Sequence, residues 1–290
     1  MNKLKNKALS LLLVLSLLLP TAVFADAIYG ETIVTLGENL SEQQKQQLLT
    51  EMGAPEDAEI IYVSNAEEHQ YLGDYISKDQ IGTRALSSTM ITIGREGSGI
   101  NVETNNIRWV SEGMYANALI TAGVEDVDIY VTAPTLVSGT AALTGLIKAY
   151  EITADIEIPE EQKQAANEEM VKTAELAETI GVEQATELMT RIKEELAKNP
   201  IETEEDLRSL IQRIANELGI TLTDEELNGL VSLFMRIKDL NIDWDQLQNQ
   251  ITKIRDNLGD FLARDDTQGM ISSFLDLLNR FIDAIKGFFR

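Results

Sequence analysis

Ala149-Tyr150-Glu151-Ile152-Thr153-Ala154-Asp155-Ile156-Glu157-Ile158-Pro159-Glu160 is the stretch where the chain changes its grammar. Upstream, short β-branched runs alternate with helical ones. Downstream, every segment has helical spacing. The change predicts an α+β protein: an α/β sandwich over residues 26–158, then an all-helical repeat domain over 159–290.

Working upstream, residues 32–36 and 59–63 read as strands. Between them Ser41 and Gln44 have the spacing of a capping box, and Gly53 stops the helix they open. Asn65 reads as the cap of a short polar helix. Residues 86–94 and 100–104, joined by Gly97-Ser98-Gly99, read as a hairpin. A helix over 111–122, a strand over 127–133, a loop over 134–139 and a helix over 140–150 follow. Leu40-Ser41-Glu42 matches Val110-Ser111-Glu112, and Met52-Gly53 matches Ala122-Gly123, both at an offset of 70 residues. Ile61-Tyr62-Val63-Ser64 matches Ile129-Tyr130-Val131-Thr132 at 68. These matches point to a duplicated α/β unit.

Downstream, helices are expected over about 160–179 and 182–197, followed by a recurrence every 20 residues. Thr203, Thr223 and Asp243 are the caps. Leu207, Leu227 and Leu247 open the apolar stripes, Ile211, Val231 and Ile251 continue them, and Ile214, Phe234 and Ile254 complete them. Steps of 4 and 3 place each set on one helical face.

At the start of the chain, Lys3, Lys5 and Lys7 precede a 12-residue apolar run ended by Pro20. The run is short for a bilayer core of about 30 Å, so residues 1–25 read as a secretory signal peptide cleaved after Ala25. The composition excludes several chemistries. With no Cys and one His there is no thiol chemistry, no Cys-ligated zinc and no multi-His metal site, and neither metal nor other cofactor is expected. Removing three lysines from 24 basic residues leaves 21 against 48 acidic ones, or −27. Nucleic acid is therefore excluded as a partner, since a binder needs a basic face. The acidity is shared: 6 basic and 21 acidic residues over 26–158, 15 and 27 over 159–290.

Gly82-Thr83-Arg84-Ala85, the run from Tyr115 to Gly123, and Val137-Ser138-Gly139-Thr140-Ala141-Ala142-Leu143-Thr144-Gly145 followed by Lys148-Ala149-Tyr150-Glu151 carry a resemblance. They resemble the YpuA-like secreted proteins of Gram-positive bacteria, domain of unknown function number one thousand and two. The resemblance covers nearly the whole mature chain. It implies an extracytoplasmic protein and supplies no activity.

Site candidates follow from the residues. Ser138, Gly139 and Thr140 stand between a strand and a helix, where free N–H groups and hydroxyls suit an anion; an ordinary cap is the more common use of such a pattern. Arg84, in so acidic a half, is suited to hold a carboxylate, internal or from a ligand. Ser87, Ser88 and Ser138 lack a nucleophile elbow, and His69 lies on a short polar helix that favours an exposed ring. Asp239 to Asp245 misses the calcium-loop pattern at two positions. Phe274, Leu278, Phe281, Ile285 and Phe288 form a C-terminal apolar stripe suited to a partner or a membrane surface, and closure of the helical array is its plainer use.

Together these readings describe a secreted, non-catalytic cell-envelope protein that binds a protein or polymer of the envelope. Two alternatives stand beside it. One is an envelope hydrolase using Asp/Glu and Ser/Thr groups. The other is a peripheral membrane protein held by the last helix, which the acidity disfavours.

Overall fold

The computed structural model describes residues 29–262 except Pro200, with side chains described as far as Ile254 but not at Asp79 and Gln80. The expected signal peptide with cleavage after Ala25, and the expected stripe of Phe274, Leu278, Phe281, Ile285 and Phe288, lie outside the described residues. The protein is α+β, as its grammar predicts. Among the described residues, β1 (Thr32–Gly37), β2 (Glu59–Val63), β3 (Ser88–Ile93), β4 (Ile100–Ile107) and β5 (Val127–Val137) form one mixed sheet in the order β2-β1-β3-β5-β4.

Helix α1 (Glu42–Met52) starts and stops as its sequence dictates. Ser41 Oγ accepts the Gln44 N–H, Gln44 Oε1 accepts the Ser41 N–H, and Gly53 closes the helix at φ 64°. Helix α2 (Asn65–Leu72) is capped one residue earlier than expected. Ser64, not Asn65, pairs with Glu67 in a capping box, which leaves the Asn65 side chain free to reach Glu68. A single turn, α3 (Lys78–Ile81), leads into β3.

The expected hairpin between β3 and β4 is not formed: β5 lies between them, antiparallel to β3 and parallel to β4. The reason lies in the glycine loop. Asp126, just before β5, accepts the Gly97 and Gly99 N–H groups at 2.8 and 2.7 Å, while Gly94 N–H bonds the Asp126 carbonyl. The loop thus turns around the start of β5 and not directly back onto β3. β5 also runs on through Pro134 to Val137, where a loop was expected. An irregular register absorbs this, with Asn106 at φ 60° and its side chain donating to the Ala133 carbonyl.

Helix α4 (Glu112–Thr121) links β4 to β5 as α1 links β1 to β2. All four of these strands run parallel, with β3 against them. Both links step the same way along the sheet, yet α1 packs with Val34, Leu36 and Tyr130, whereas α4 packs with Ile33, Ile129 and Val131 on the other face. The two crossovers are therefore of opposite hand, and one is left-handed against a strong general preference. The two helix–strand segments that match in sequence sit differently: β2 is an edge strand and β5 an interior one.

The α4 face of the sheet is covered by α4, α5 (Thr140–Thr153), α2 and α6 (Glu160–Ile180). Ala166, Met170, Val171 and Ala174 of α6, and Leu247 and Ile251 of α10 (Trp244–Leu262), belong to the same core as Ile33, Ile91 and Leu143. The core thus crosses the 158/159 boundary. A second core joins α6 to α7 (Val182–Lys198), α8 (Glu204–Glu217) and α9 (Asp224–Asp239) around Leu188, Ile192, Ile211 and Phe234. Thr203, Thr223 and Asp243 each accept the N–H three residues on, as their spacing predicts.

Candidate functional site

Helix α5 carries a polar stripe at steps of 4, 4 and 3: Thr140, Thr144, Lys148 and Glu151. On an otherwise apolar helix this stripe faces α2 and α6. Its start is fixed by Gly139 at φ 98°, where a Cβ would collide with the Tyr115 hydroxyl and Ile107, so only glycine fits. The fully buried Tyr115 donates its hydroxyl to the Gly139 carbonyl at 2.6 Å.

Ser138, Gly139 and Thr140 do come together at this helix start. The carboxylate beside them is the chain's own. Thr140 Oγ1 donates to Glu68 Oε1 at 3.4 Å, and Asn65 Nδ2 donates to Glu68 Oε2 at 2.9 Å. Glu68 is 2% exposed, and burial pushes its pKa up to about 7 against the opposing pull of those two hydrogen bonds. Ser138 Oγ lies 3.2 Å from Thr140 Oγ1. Arg84 is exposed, and no ion pair joins it to a described side chain. His69, expected to be exposed, is half-buried: its Nε2 lies 3.1 Å from the Gly82 carbonyl, because the chain leaving α3 folds back over α2.

One to three turns further along α5, the stripe opens into a cleft of about 220 Å³. Glu67 and Tyr71 of α2, Thr144, Ile147, Lys148 and Glu151 of α5, and Lys163 and Asn167 of α6 line it. Sequence reading missed this site, although most of its α5 residues lie in the runs quoted for the family resemblance. Lys148 Nζ donates to Glu67 Oε1 at 2.8 Å and to the Tyr62 carbonyl at 3.0 Å. Glu67 Oε2 is held by the Ser64 N–H, so its carboxylate is oriented from both ends. Burial pushes the Glu67 pKa up, but Lys148 and Ser64 outweigh it and the net shift is downward. Lys163 Nζ donates to Glu151 Oε1 at 3.2 Å, and that oxygen also accepts the Ile158 N–H at 2.8 Å. Burial lowers the Lys163 pKa and the Glu151 bond more than restores it.

Two of the residues that line the cleft each carry a polar atom without a partner. Thr144 Oγ1 and Asn167 Oδ1 are both buried, with their residues 5% and 1% exposed. No group of His, Asp and Glu suited to a metal ion occurs among the described residues.

A family model described as a protein of unknown function, DUF1002, matches residues 36–254. The chain belongs to the DUF1002 family. A family relative, the uncharacterized protein YpuA of Bacillus subtilis (strain 168), is 49% identical over 278 residues, 96% of each chain. No solved structure matches. The DUF1002 match takes in β2 to α9 entire and therefore the whole α2–α5–α6 cleft.

A second small cavity, about 200 Å³, lies between Gly123, Gln162 and the start of α10. α4, α6 and α7 enclose a wholly buried ion pair. Lys193 Nζ donates to Glu169 Oε1 at 2.7 Å, to the Asn117 carbonyl at 2.8 Å and to Thr121 Oγ1 at 3.3 Å. Thr121 donates in turn to Glu169 Oε2. Burial lowers the Lys193 pKa.

Proposed function

We propose that this protein is an exported, non-catalytic binding protein of the cell envelope, whose ligand or polymer partner seats in the α2–α5–α6 cleft. The observation that carries the reading is the pair of unpartnered buried groups, Thr144 Oγ1 and Asn167 Oδ1, on a wall whose charged groups are already paired. A buried polar atom left unmade costs about 1–3 kcal/mol, and a cleft that holds two of them is built to receive hydrogen bonds from outside. The lysine-rich start, the apolar run and Ala25 support export and cleavage. The recurrence of caps and apolar positions every 20 residues over 203–254 supports a repeat origin for α8, α9 and α10. The paired helix–strand segments likewise support an old duplication in the sheet.

The cleft is less suited to hydrolysis. A carboxyl that donates a proton near neutral pH needs a raised pKa and access to the bond. Glu68 has the raised pKa but does not line the cleft, and Glu67, which does, is shifted down.

The test is cell fractionation with N-terminal sequencing. The mature chain should begin at Asp26 and stay with the envelope. Lys148→Met, which breaks the cleft wall on its exposed side, should release folded protein into the medium. A cytoplasmic chain retaining residues 1–25, or equal envelope retention of the variant, would overturn the reading.

A further inference from the structure

The chemistry of the cleft wall identifies the class of ligand. Of the three protons on Lys148 Nζ, two are used by Glu67 and the Tyr62 carbonyl, which leaves one donor. Asn167 Nδ2 gives one hydrogen to the Lys163 carbonyl at 2.8 Å and keeps another, while its Oδ1 accepts nothing. The Thr144 hydroxyl is uncommitted in both directions. Donors and acceptors therefore stand side by side among the residues that line the cleft, with those of Thr144 and Asn167 just beneath its surface.

The charges on that surface cancel. Lys148 is matched by Glu67 and Lys163 by Glu151. An anion would gain from the lysines what it loses to the glutamates, and a cation would meet the reverse. An apolar ligand would seal Thr144 and Asn167 away from any partner. A neutral ligand with adjacent hydroxyls avoids all three penalties, because each hydroxyl both donates and accepts. The half-buried Tyr71 ring supplies the apolar surface that the C–H face of a sugar needs. A cleft of about 220 Å³ holds one ring and not several.

We propose that the α2–α5–α6 cleft binds a neutral sugar ring, either a free monosaccharide or the terminal unit of a neutral glycan. The proposal rests on reading the cleft as a binding site. The acidic surface points the same way, since the exported chain, with 21 basic and 48 acidic residues and so a charge of −27, repels polyanionic polymers at long range and leaves neutral ones unaffected.

Calorimetric titration of the exported chain tests this with D-glucose, N-acetylglucosamine and the N-acetylglucosamine trimer as probes. L-alanine serves as the zwitterion control and sulfate as the anion control. At least one sugar should bind, and Thr144→Val and Asn167→Leu should each weaken it by at least about tenfold with no fall in melting temperature. If Asn167→Leu does not fold, Thr144→Val, which keeps the side-chain shape, carries the test. Equal binding of monomer and trimer assigns a free sugar, and tighter binding of the trimer assigns a chain end. Flat titrations with every sugar mean a cleft that holds only water, and they overturn the proposal. So does tighter binding of alanine or sulfate, or undiminished sugar binding by the variants. Envelope retention through Lys148 would survive any of these failures, so the binding reading and the sugar assignment fail separately.

Discussion

Helix α6 takes part in two lysine–glutamate clusters that use the same chemistry to opposite ends. Around Glu169 the cluster is sealed: both ionic side chains are 0% exposed, Lys193 spends all three protons, and both carboxylate oxygens are met. Around Lys163 and Asn167, about two turns earlier to half a turn earlier on the same helix, the cluster is open and keeps two polar atoms unmet. Residue type does not separate the sealed cluster from the open one. Saturation does. The sealed pair leaves no polar atom unmet, whereas Thr144 and Asn167 beside the open pairs each keep one.

The contrast can be broken experimentally. The largest effect is expected from cutting the chain. Residues 29–158 expressed alone lose α6, α7 and α10 from the α4 side of the sheet, uncover Asn117 and strand Thr121. No cooperative unfolding transition should be seen by circular dichroism. Next comes Lys193→Met, which leaves Glu169 buried without compensation and should cost about 3–5 kcal/mol in denaturant unfolding. Adding Glu169→Leu should recover most of that loss, because the second charge is then gone too. If the single variant costs little, the cluster is not sealed and the comparison fails.

Adjacent residues on α2 provide the third test. The folded Glu68 pKa lies above its unfolded value, so its favourable contribution is complete below pH 4.5 and fades as pH rises through about 7. The gap sets a ceiling of roughly 3 kcal/mol. Glu67 has the opposite sign: its contribution is present above 4.5 and lost as pH falls through its lowered pKa. Glu68→Gln should therefore flatten the fall in melting temperature between pH 5 and pH 8, whereas Glu67→Gln should steepen none of it. A smaller effect is expected at the open cleft. Thr144→Val should leave the free protein unchanged or stabilise it by up to about 1 kcal/mol in the same denaturant assay, since an unmet hydroxyl is replaced by a methyl. The least is expected from the exposed pairs of Arg213 with Glu195 and Glu217, where Arg213→Ala should not move the melting temperature measurably.

Much of the fold was legible because it is specified locally. The box at Ser41, the caps at Thr203, Thr223 and Asp243, the limits of β2 and the helical run after Pro159 all rest on spacings of a few residues. Strand order was not legible, since nothing within residues 88–107 records that β5 will enter between β3 and β4. Ser138, Gly139 and Thr140 were found as a cluster, but Glu68, which meets Thr140, lies about 70 residues away in a run that reads as polar surface. The sealed pair did leave a signal. Lys193 falls in the stripe of Ala185, Leu188, Met189, Ile192 and Leu196, and Glu169 stands between Ala166 and Met170. A charge in a buried stripe requires an opposite charge across from it.

The entry of β5 between β3 and β4 also bears on the order of events during folding. Only six residues separate β3 from β4, and their sequence favours pairing them directly as a hairpin. That pairing is available as soon as residue 107 has emerged, before β5 exists. Local preference and native topology are in conflict here, and any β3–β4 hairpin formed early would have to open to admit β5. Lengthening the 94–99 loop weakens the hairpin more than the native sheet, so such an insertion should speed refolding even where it lowers stability.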